Sequence, residues 1–96
     1  MRVRWLRAAL KNLEDIANHI AQDNPAAARD TVALIIRSVD QLAANPALDL
    51  SRPGRVLGTR ELVVSASYIV PYRVKQDELQ VLRVMHARQH WPKRFT

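Results

Sequence analysis

Three side chains near the C-terminus have the chemistry that catalysis or anion binding requires. Arg83, His86 and Arg88 follow one another closely in the sequence. A histidine acts as a general acid or base when a placed partner accompanies it, and otherwise has a structural role. Arginines bind phosphates and carboxylates, or cover apolar surface with their stems. No cysteine is present, which excludes disulfides, thiolate metal sites and cysteine nucleophiles.

Metal and cofactor sites are not predicted. His86 and His90 are four residues apart, a spacing that joins two ligands on a helix, but this segment is expected to end a strand and no third ligand is evident. Gly54 and Gly58 flank three residues that lack the Gly-Lys-Ser/Thr of a phosphate-binding loop. They are expected to serve turn geometry and close packing instead. The sequence therefore predicts neither a bound metal nor a nucleotide cofactor.

Positive charge is concentrated in the second half of the chain. The 96 residues include 15 Lys and Arg against nine Asp and Glu, a net charge of +6. Residues 1–48 carry six positive and five negative charges, and residues 49–96 carry nine and four, which gives +1 and +5. This excess predicts an anionic partner, either nucleic acid or an acidic protein. No apolar run reaches the ~18–20 residues that cross a bilayer, so a cytoplasmic protein without membrane contact is expected.

Two amphipathic helices are expected to position these side chains. Apolar residues recur every three or four positions over residues 6–22, which indicates one helix. A second stripe covers residues 25–44 and begins at Asn24-Pro25, a capping residue followed by a proline at the first helical position. Asn45-Pro46 ends it. The short link between the stripes predicts an antiparallel helical hairpin.

Four strands complete the expected fold. Residues 1–5 alternate arginines with Val3 and Trp5, as in a short strand. After a loop at residues 45–54, three segments rich in Val, Ile, Leu and Tyr (residues 60–64, 68–74 and 79–86) are separated by short turns and predict an antiparallel meander. The order is β-α-α-β-β-β, an α+β fold in which an antiparallel sheet packs against the N-terminal helical hairpin. Residues 1–96 are expected to form one domain.

Symmetric turns would place Val64 opposite Tyr68 and Val74 opposite Leu79. Both faces of the resulting sheet are largely apolar, yet only one can rest on the helices. The second face also carries arginine and is a candidate partner site, although a slip of one residue would exchange the two sets. One face would show Arg60, Leu62, Val70, Tyr72, Val81 and Arg83, and the other Glu61, Val63, Ile69, Pro71, Arg73, Leu82 and Val84.

Three segments carry a recognisable pattern: G-R-x-x-G-T-R-E-L from Gly54, Y-x-V-x-Y-R-V from Tyr68, and H-x-x-Q-x-W-P from His86. With the order of elements and the Asn24-Pro25 start of the second helix, they resemble the RelE/ParE superfamily of toxins over nearly the whole chain. The first and third segments are closer to the ParE-like branch.

The resemblance implies the toxin of a type II toxin–antitoxin system, a class associated with plasmid stabilization and growth inhibition. A ParD-like antitoxin would bind and neutralise it as a hetero-oligomer, with an amphipathic helix in the groove of the helical hairpin and an extended segment over the exposed sheet face. ParE-like members inhibit DNA gyrase and so block replication. This interpretation needs no catalytic residue. The residues expected to bind partners are Arg60, Tyr72, Arg73, Arg83 and Arg88.

RelE-like members instead enter the ribosome and cleave mRNA, which is the alternative function. Attack by a 2′-hydroxyl needs a base, an acid and cations around the phosphate. The resemblance implies lysines on the second strand and a late tyrosine for this chemistry. Here the second-strand positions hold Arg60 and Leu62, and no tyrosine follows Tyr72.

A nuclease would therefore have to use other side chains. His86, Arg83 and Arg88 would be its catalytic residues, or His86 would act with Glu61 and Arg83 in place of the usual set. The assumed pairing places His86 and Arg83 on opposite faces of the sheet, which weakens this alternative. Inhibition of gyrase is the preferred prediction.

Overall fold

A strand and a helical hairpin form the N-terminal half of the protein. The structure is a computed structural model that describes residues 1–48 and 50–95. Strand β1 (Arg2–Trp5) is followed by helix α1 (Arg7–Ala21) and helix α2 (Pro25–Ala44). The Asn24 side chain caps α2, because its Oδ1 accepts a hydrogen bond from the backbone N–H of Ala27 at 3.0 Å. The two predicted helices are confirmed to within one residue at each end.

The apolar stripes of the two helices meet the same core. Ala9 and Leu13 are buried on α1, and Ile35, Val39 and Leu42 are buried on α2. They pack in one cluster with side chains from the central strands. None of the helices in the described part of the chain is long and apolar enough to cross a membrane.

One mixed sheet lies against the hairpin. Its strands after α2 are β2 (Arg52–Pro53), β3 (Arg60–Val63), β4 (Tyr68–Lys75), β5 (Glu78–Val81) and β6 (Met85–His86), with a 3₁₀ turn at Pro46–Leu48 before them. The strand order is β1-β5-β4-β3-β2, and β6 also pairs with β4. The predicted α+β arrangement is confirmed. The expectation of an antiparallel sheet is wrong only for β1, which pairs parallel to β5.

The predicted register of the meander is confirmed as far as Val81. Val74 pairs with Leu79, and the backbone N–H of Val64 donates to the carbonyl of Tyr68 at 3.0 Å. The β4–β5 hairpin turns through Gln76 and Asp77, whose φ angles are 54° and 59°. Two consecutive positive φ angles are typical of the type I′ turn, whose twist matches that of the flanking strands.

A β-bulge separates β5 from β6. Tyr72 pairs with Val81, and Ile69 pairs with Met85. The two pairs are three residues apart in β4 but four residues apart in the β5–β6 segment, which therefore contains one extra residue. Val84 consequently lies in the core beneath the helices. Arg83 contacts the C-terminal tail on the opposite face. The predictions that Arg83 shares a face with Arg60 and that Val84 lies on the second face are both wrong.

The sheet buries apolar side chains on both faces. We call the face turned away from the helical hairpin the outer face. The loop at residues 54–59 and the C-terminal tail at residues 87–95 cover part of it, so that Val56, Leu82 and Met85 are buried. The second face, which is predicted to be exposed, is therefore partly covered, because two irregular segments pack on it. Its role as a partner site stays a prediction.

Candidate functional site

Glu61 is the centre of a polar cluster on the outer face. Its side chain, in β3, is almost completely buried, with a relative exposure of 1%. The carboxylate accepts hydrogen bonds from the backbone N–H of Arg55 at 2.8 Å, from Arg55 Nε at 3.0 Å and from Arg52 Nε at 3.1 Å. The Nη2 atoms of Arg55 and Arg52 lie 3.3 and 3.1 Å from Glu61 Oε1. One buried carboxylate thus holds two guanidinium groups and the start of the 54–59 loop.

Two opposing influences act on the pKa of Glu61. Burial has the largest single influence and raises it, because a buried carboxylate loses its water. The hydrogen bonds from Arg55 and Arg52 and the charge of Arg55 lower it, and their sum prevails, so the pKa lies below its ordinary value of 4.5. Glu61 is therefore ionised at neutral pH, where it is a poor proton acceptor.

An aromatic layer connects this cluster to the C-terminal tail. The guanidinium carbon of Arg55 lies 3.8 Å from the centroid of a Trp91 ring, and Trp91 in turn contacts Phe95 with ring centroids 6.3 Å apart. Arg83 lies over the other side of this layer, 5.4 Å from the Phe95 centroid, and its Nη2 donates to the Phe95 carbonyl at 3.1 Å. Cation–π contacts of this kind fix the tail on the outer face.

A second polar chain crosses the outer face from β4 to β1. Arg73 Nε donates to Gln80 Oε1 at 2.7 Å, and Gln80 Nε2 donates to Glu78 Oε1 at 2.9 Å. Glu78 lies 3.9 Å from both Arg2 and Arg4, whose side chains are mostly exposed. These contacts orient Arg73 along the sheet and leave the β1 arginines at its edge.

The five residues predicted to bind partners do not form one surface. Arg73 and Arg83 lie on the outer face, whereas Arg60 and Tyr72 lie on the helix-facing side. There, Arg60 Nε and the Tyr72 hydroxyl both donate to Ser51 Oγ, at 2.9 and 2.5 Å, beside a cavity of about 160 Å³. Tyr72 is 4% exposed. The binding role of these residues stays a prediction.

The fifth residue, Arg88, is exposed in the turn after β6, and its backbone N–H donates to Nδ1 of His86 at 3.1 Å. The neutral His86 ring therefore carries its proton on Nε2. His86 contacts Tyr68 edge-on, with centroids 5.5 Å apart, and lines a cavity of about 280 Å³ with His19 and Asp15 of α1. His86 thus lies on the helix-facing side of the sheet.

Two of the groups named as its catalytic partners, Arg83 and Glu61, are elsewhere, whereas Arg88 is beside it in the chain. Arg83 contacts Phe95, and Glu61 is bound by Arg52 and Arg55, all on the outer face. The structure does not bring His86, Arg83 and Glu61 together. In the described part of the chain, no three His, Cys, Asp or Glu side chains are grouped to hold a metal ion.

The exposed side of the helical hairpin has an apolar groove between α1 and α2. We call it the hairpin groove. It has a volume of about 530 Å³. Ile36 at its edge is 38% exposed. Small side chains from both helices allow a partner to approach closely. The apolar side chains that line it are Ala17, Ala21, Pro25, Ala28, Val32, Ala33 and Ile36.

The Glu61–Arg55–Trp91 contact was not predicted from the sequence. The pairing placed Glu61 on the second face, but no local pattern names its partners. The sequence pattern that indicates this contact is weak. Glu61 is an acid beside the apolar centre of a strand, and it is preceded by Arg52 and Arg55, which flank the turn-forming Pro53-Gly54. A buried acid needs a cation. The adjacent Arg60 points to the opposite face of the strand, so Arg55 and Arg52 are the next arginines upstream.

Known proteins similar to this chain include toxins. A family model described as "ParE toxin of type II toxin-antitoxin system, parDE" matches residues 3–91. The chain is 48% identical over 92 residues to Y4kP of Sinorhizobium fredii, a protein with a provisional toxin name, which covers 95% of this chain and 93% of that protein. It is 32% identical over 87 residues to toxin RelE2 of Caulobacter vibrioides, covering 88% of this chain and 93% of the relative.

Solved structures of toxin–antitoxin systems have a similar fold. A chain of the chromosomal ParDE toxin–antitoxin system of P. aeruginosa superposes with a TM-score of 0.79 and 31% identity, covering 90% of this chain and 95% of that one. A chain of the RelBE2 toxin–antitoxin complex of Mycobacterium tuberculosis shares the fold, with a TM-score of 0.64, 22% identity and coverage of 88% and 95%. The fold is thus that of a type II toxin. The chain belongs to the ParE toxin family within the RelE/ParE superfamily.

Proposed function

We propose that this toxin is held inactive by a ParD-like antitoxin and that, when released, it inhibits DNA gyrase and blocks replication. The observation that most supports this is the separation of Arg73 and Arg83 from His86. Arg73 and Arg83 lie on the outer face, whereas His86 contacts Tyr68 on the other side of the sheet.

Cleavage of RNA requires a base, an acid and a cation that reach one phosphate. Glu61 is held by two arginines, and its lowered pKa makes it a poor base near neutral pH. A protein inhibitor has no such requirement, because it needs only a complementary surface. The basic outer face suits an anionic partner.

The antitoxin contact proposed here uses two surfaces. An amphipathic antitoxin helix would place its apolar side in the hairpin groove, whose small residues admit close packing. An extended antitoxin segment would then cover the outer face and neutralise its arginines. The P. aeruginosa and M. tuberculosis structures are themselves described as a toxin–antitoxin system and complex, which supports a partner of this class.

The test is a purified gyrase supercoiling assay run beside a ribosome–mRNA cleavage reaction with the same toxin preparation. We expect supercoiling to fall, or cleaved DNA to accumulate, while mRNA stays intact. Arg73→Gln should raise the inhibitory concentration about tenfold, since one charged contact is lost. Arg37→Gln, an exposed arginine on α2, is the matched control and should change it less than about twofold. Normal gyrase activity at every toxin concentration would refute the proposal.

mRNA cleavage is kept as the second candidate because of two observations. A relative with 32% identity carries the name toxin RelE2, and His86 lines a cavity. If this candidate is correct, mRNA is cut only on ribosomes, and His86→Gln abolishes the cuts while the toxin still binds. The same pair of assays therefore separates the two functions.

A further inference from the structure

A cavity on the outer face combines an apolar interior with cationic walls. It has a volume of about 360 Å³, within the ~300–1,000 Å³ range of ligand pockets. Leu82 lines it from the sheet, Val56 from the loop, and Phe95 from the tail. The guanidinium-bearing residues at its walls are Arg73 and Arg94. We call this cavity the outer pocket.

A fully exposed leucine lies at the edge of the outer pocket. Leu57 has a relative exposure of 99%, the highest of the large apolar residues. It is held there by a tight turn, in which the backbone N–H of Thr59 donates to the Val56 carbonyl at 3.1 Å and Gly58 has a φ of 78°. A leucine fixed away from the rest of the protein gains free energy only when another surface covers it.

The cations of the outer pocket form no ion pair with an acid in the described part of the chain. Arg73 Nε donates to the amide oxygen of Gln80. Within residues 1–48 and 50–95, no carboxylate lies within 4.0 Å of the guanidinium of Arg73 or Arg94. Arg52 and Arg55, in contrast, are neutralised by Glu61. Neither cation of this pocket therefore forms an ion pair with a described acid.

The walls of the outer pocket are fixed by contacts already described. Glu61 holds Arg55, Arg55 stacks on Trp91, and Trp91 contacts Phe95. The loop and the tail are therefore tied to the sheet and to one another. A pocket with fixed walls requires little ordering when a ligand binds, which favours affinity.

We propose that the outer pocket binds an acidic, extended segment of the antitoxin that carries one bulky apolar side chain. The acids contact Arg73 and Arg94, and the apolar side chain enters the pocket and covers Leu57. This inference rests on the antitoxin partner of the proposed function. The molecule is 23 Å across its shortest dimension, so a segment that leads around it from the hairpin groove needs at least about seven extended residues, at ~3.3 Å each.

Other occupants match the pocket less well. Nucleic acid would satisfy the arginines through phosphates but would leave the apolar interior and Leu57 without a partner. A second copy of the chain carries a net charge of +6 and would meet the pocket with the same sign of charge. An acidic segment with one apolar side chain satisfies both features together.

The test selects random twelve-residue peptides, displayed on yeast, against the full-length protein. A triple variant, Leu57→Ser/Arg73→Gln/Arg94→Gln, is used as counter-selection to remove peptides that bind elsewhere. We expect the remaining peptides to contain at least two acids beside one Leu, Ile, Phe or Trp. Synthetic versions should bind at least about tenfold more weakly to Leu57→Ser and to Arg73→Gln/Arg94→Gln. They should bind within about twofold to Leu48→Ser, a matched exposed leucine outside the pocket.

The outcomes that would overturn the proposal are distinct. No pocket-dependent peptide after counter-selection, or peptides without acids, would refute the pocket as an acidic-segment site. Tighter binding of a single-stranded oligonucleotide than of the selected peptides, lost in the same variants, would assign the pocket to nucleic acid. A peptide consensus absent from the antitoxin encoded beside the toxin would refute the antitoxin as its occupant. None of these measurements uses gyrase, so failure of the pocket and failure of gyrase inhibition are separable.

Discussion

Replacing Glu61 with glutamine is the most direct test of how the outer face is held together. The neutral amide has the shape of the carboxylate, but it accepts on only one atom and presents N–H donors on the other. At least one of the N–H groups of Arg55 and Arg52 then faces another donor. The two arginines also lose the charge that compensates them.

The structure allows the cost to be estimated. Removing one partner of a fully buried ion pair costs about 3–5 kcal/mol. The side chains of Arg52 and Arg55 are 51% and 42% exposed, so water recovers part of this loss. The backbone N–H of Arg55 loses or weakens its hydrogen bond, at about 1–3 kcal/mol. We therefore expect Glu61→Gln to lower the free energy of unfolding by about 2–3 kcal/mol, and Tm by roughly 10–20 °C.

The pH dependence distinguishes this mechanism from a general loss of packing. The pKa of Glu61 is lowered in the folded protein. A lowered folded-state pKa gives stability that is fully present above the unfolded-state pKa and is lost as pH falls through the folded-state pKa. The difference between the wild type and Glu61→Gln should be largest at pH 7. It should shrink as the pH falls below 4.5, the ordinary glutamate pKa.

Urea denaturation at pH 7 and at several lower pH values, followed by far-UV circular dichroism, measures both effects. Glu78→Gln is the matched control, because Glu78 lies in the same sheet but is 3.9 Å from two largely exposed arginines. It should cost less than about 1 kcal/mol. A loss below about 0.5 kcal/mol for Glu61→Gln, well under the worth of one charged hydrogen bond, or a loss that does not change with pH, would refute this account of the cluster.

Three further substitutions test the local structure by urea denaturation. Gly54→Ala should destabilise the protein by about 1–3 kcal/mol, since a Cβ there would lie 2.7 Å from the backbone oxygen of Thr59. An unchanged urea midpoint would show that the 54–59 loop moves to accommodate the methyl group. Asn24→Ala removes the cap of α2 and should cost about 1 kcal/mol; no loss of stability would mean that Pro25 alone starts the helix. Ile35→Val should cost about 0.5–1.5 kcal/mol, because Ile35 is fully buried; a smaller effect would indicate that the core closes around the missing methylene.

Local patterns in the sequence predict much of the fold for identifiable physical reasons. The helices follow from the 3.6-residue apolar period and from Asn24-Pro25, which caps α2 in the structure. The β3–β4–β5 register follows from two short turns, since turn length fixes which residues oppose each other. Both signals are confined to a few neighbouring residues.

The features that could not be predicted depend on distant contacts. The bulge after β5 has no local marker, because Val81, Leu82, Val84 and Met85 are all apolar and suit either face. The parallel pairing of β1 with β5 joins two segments that lie far apart in the sequence. The cover of the outer face depends on Trp91 and residues of an irregular tail, which has no period from which packing can be deduced.

The same contacts show why net charge alone is an incomplete guide to the binding surface. Residues 49–96 carry a net charge of +5, which suggests one broad basic patch. In the structure, Arg52 and Arg55 are committed to the buried Glu61, and Arg83 to Phe95. These cations build the outer face and fix the tail.

Arg73 and Arg94 have a different position, because both line an apolar pocket to which the described part of the chain brings no acid. The buried carboxylate of Glu61 thus divides the arginines of the outer face into two groups. Glu61 binds two guanidinium groups, and neither of them belongs to Arg73 or Arg94. If Glu61 is neutralised, Arg52 and Arg55 are released toward solvent and the basic surface becomes broader and less specific. A partner that reads charge alone should then bind Glu61→Gln at least as well as the wild type, whereas one that fits the outer pocket should bind it more weakly.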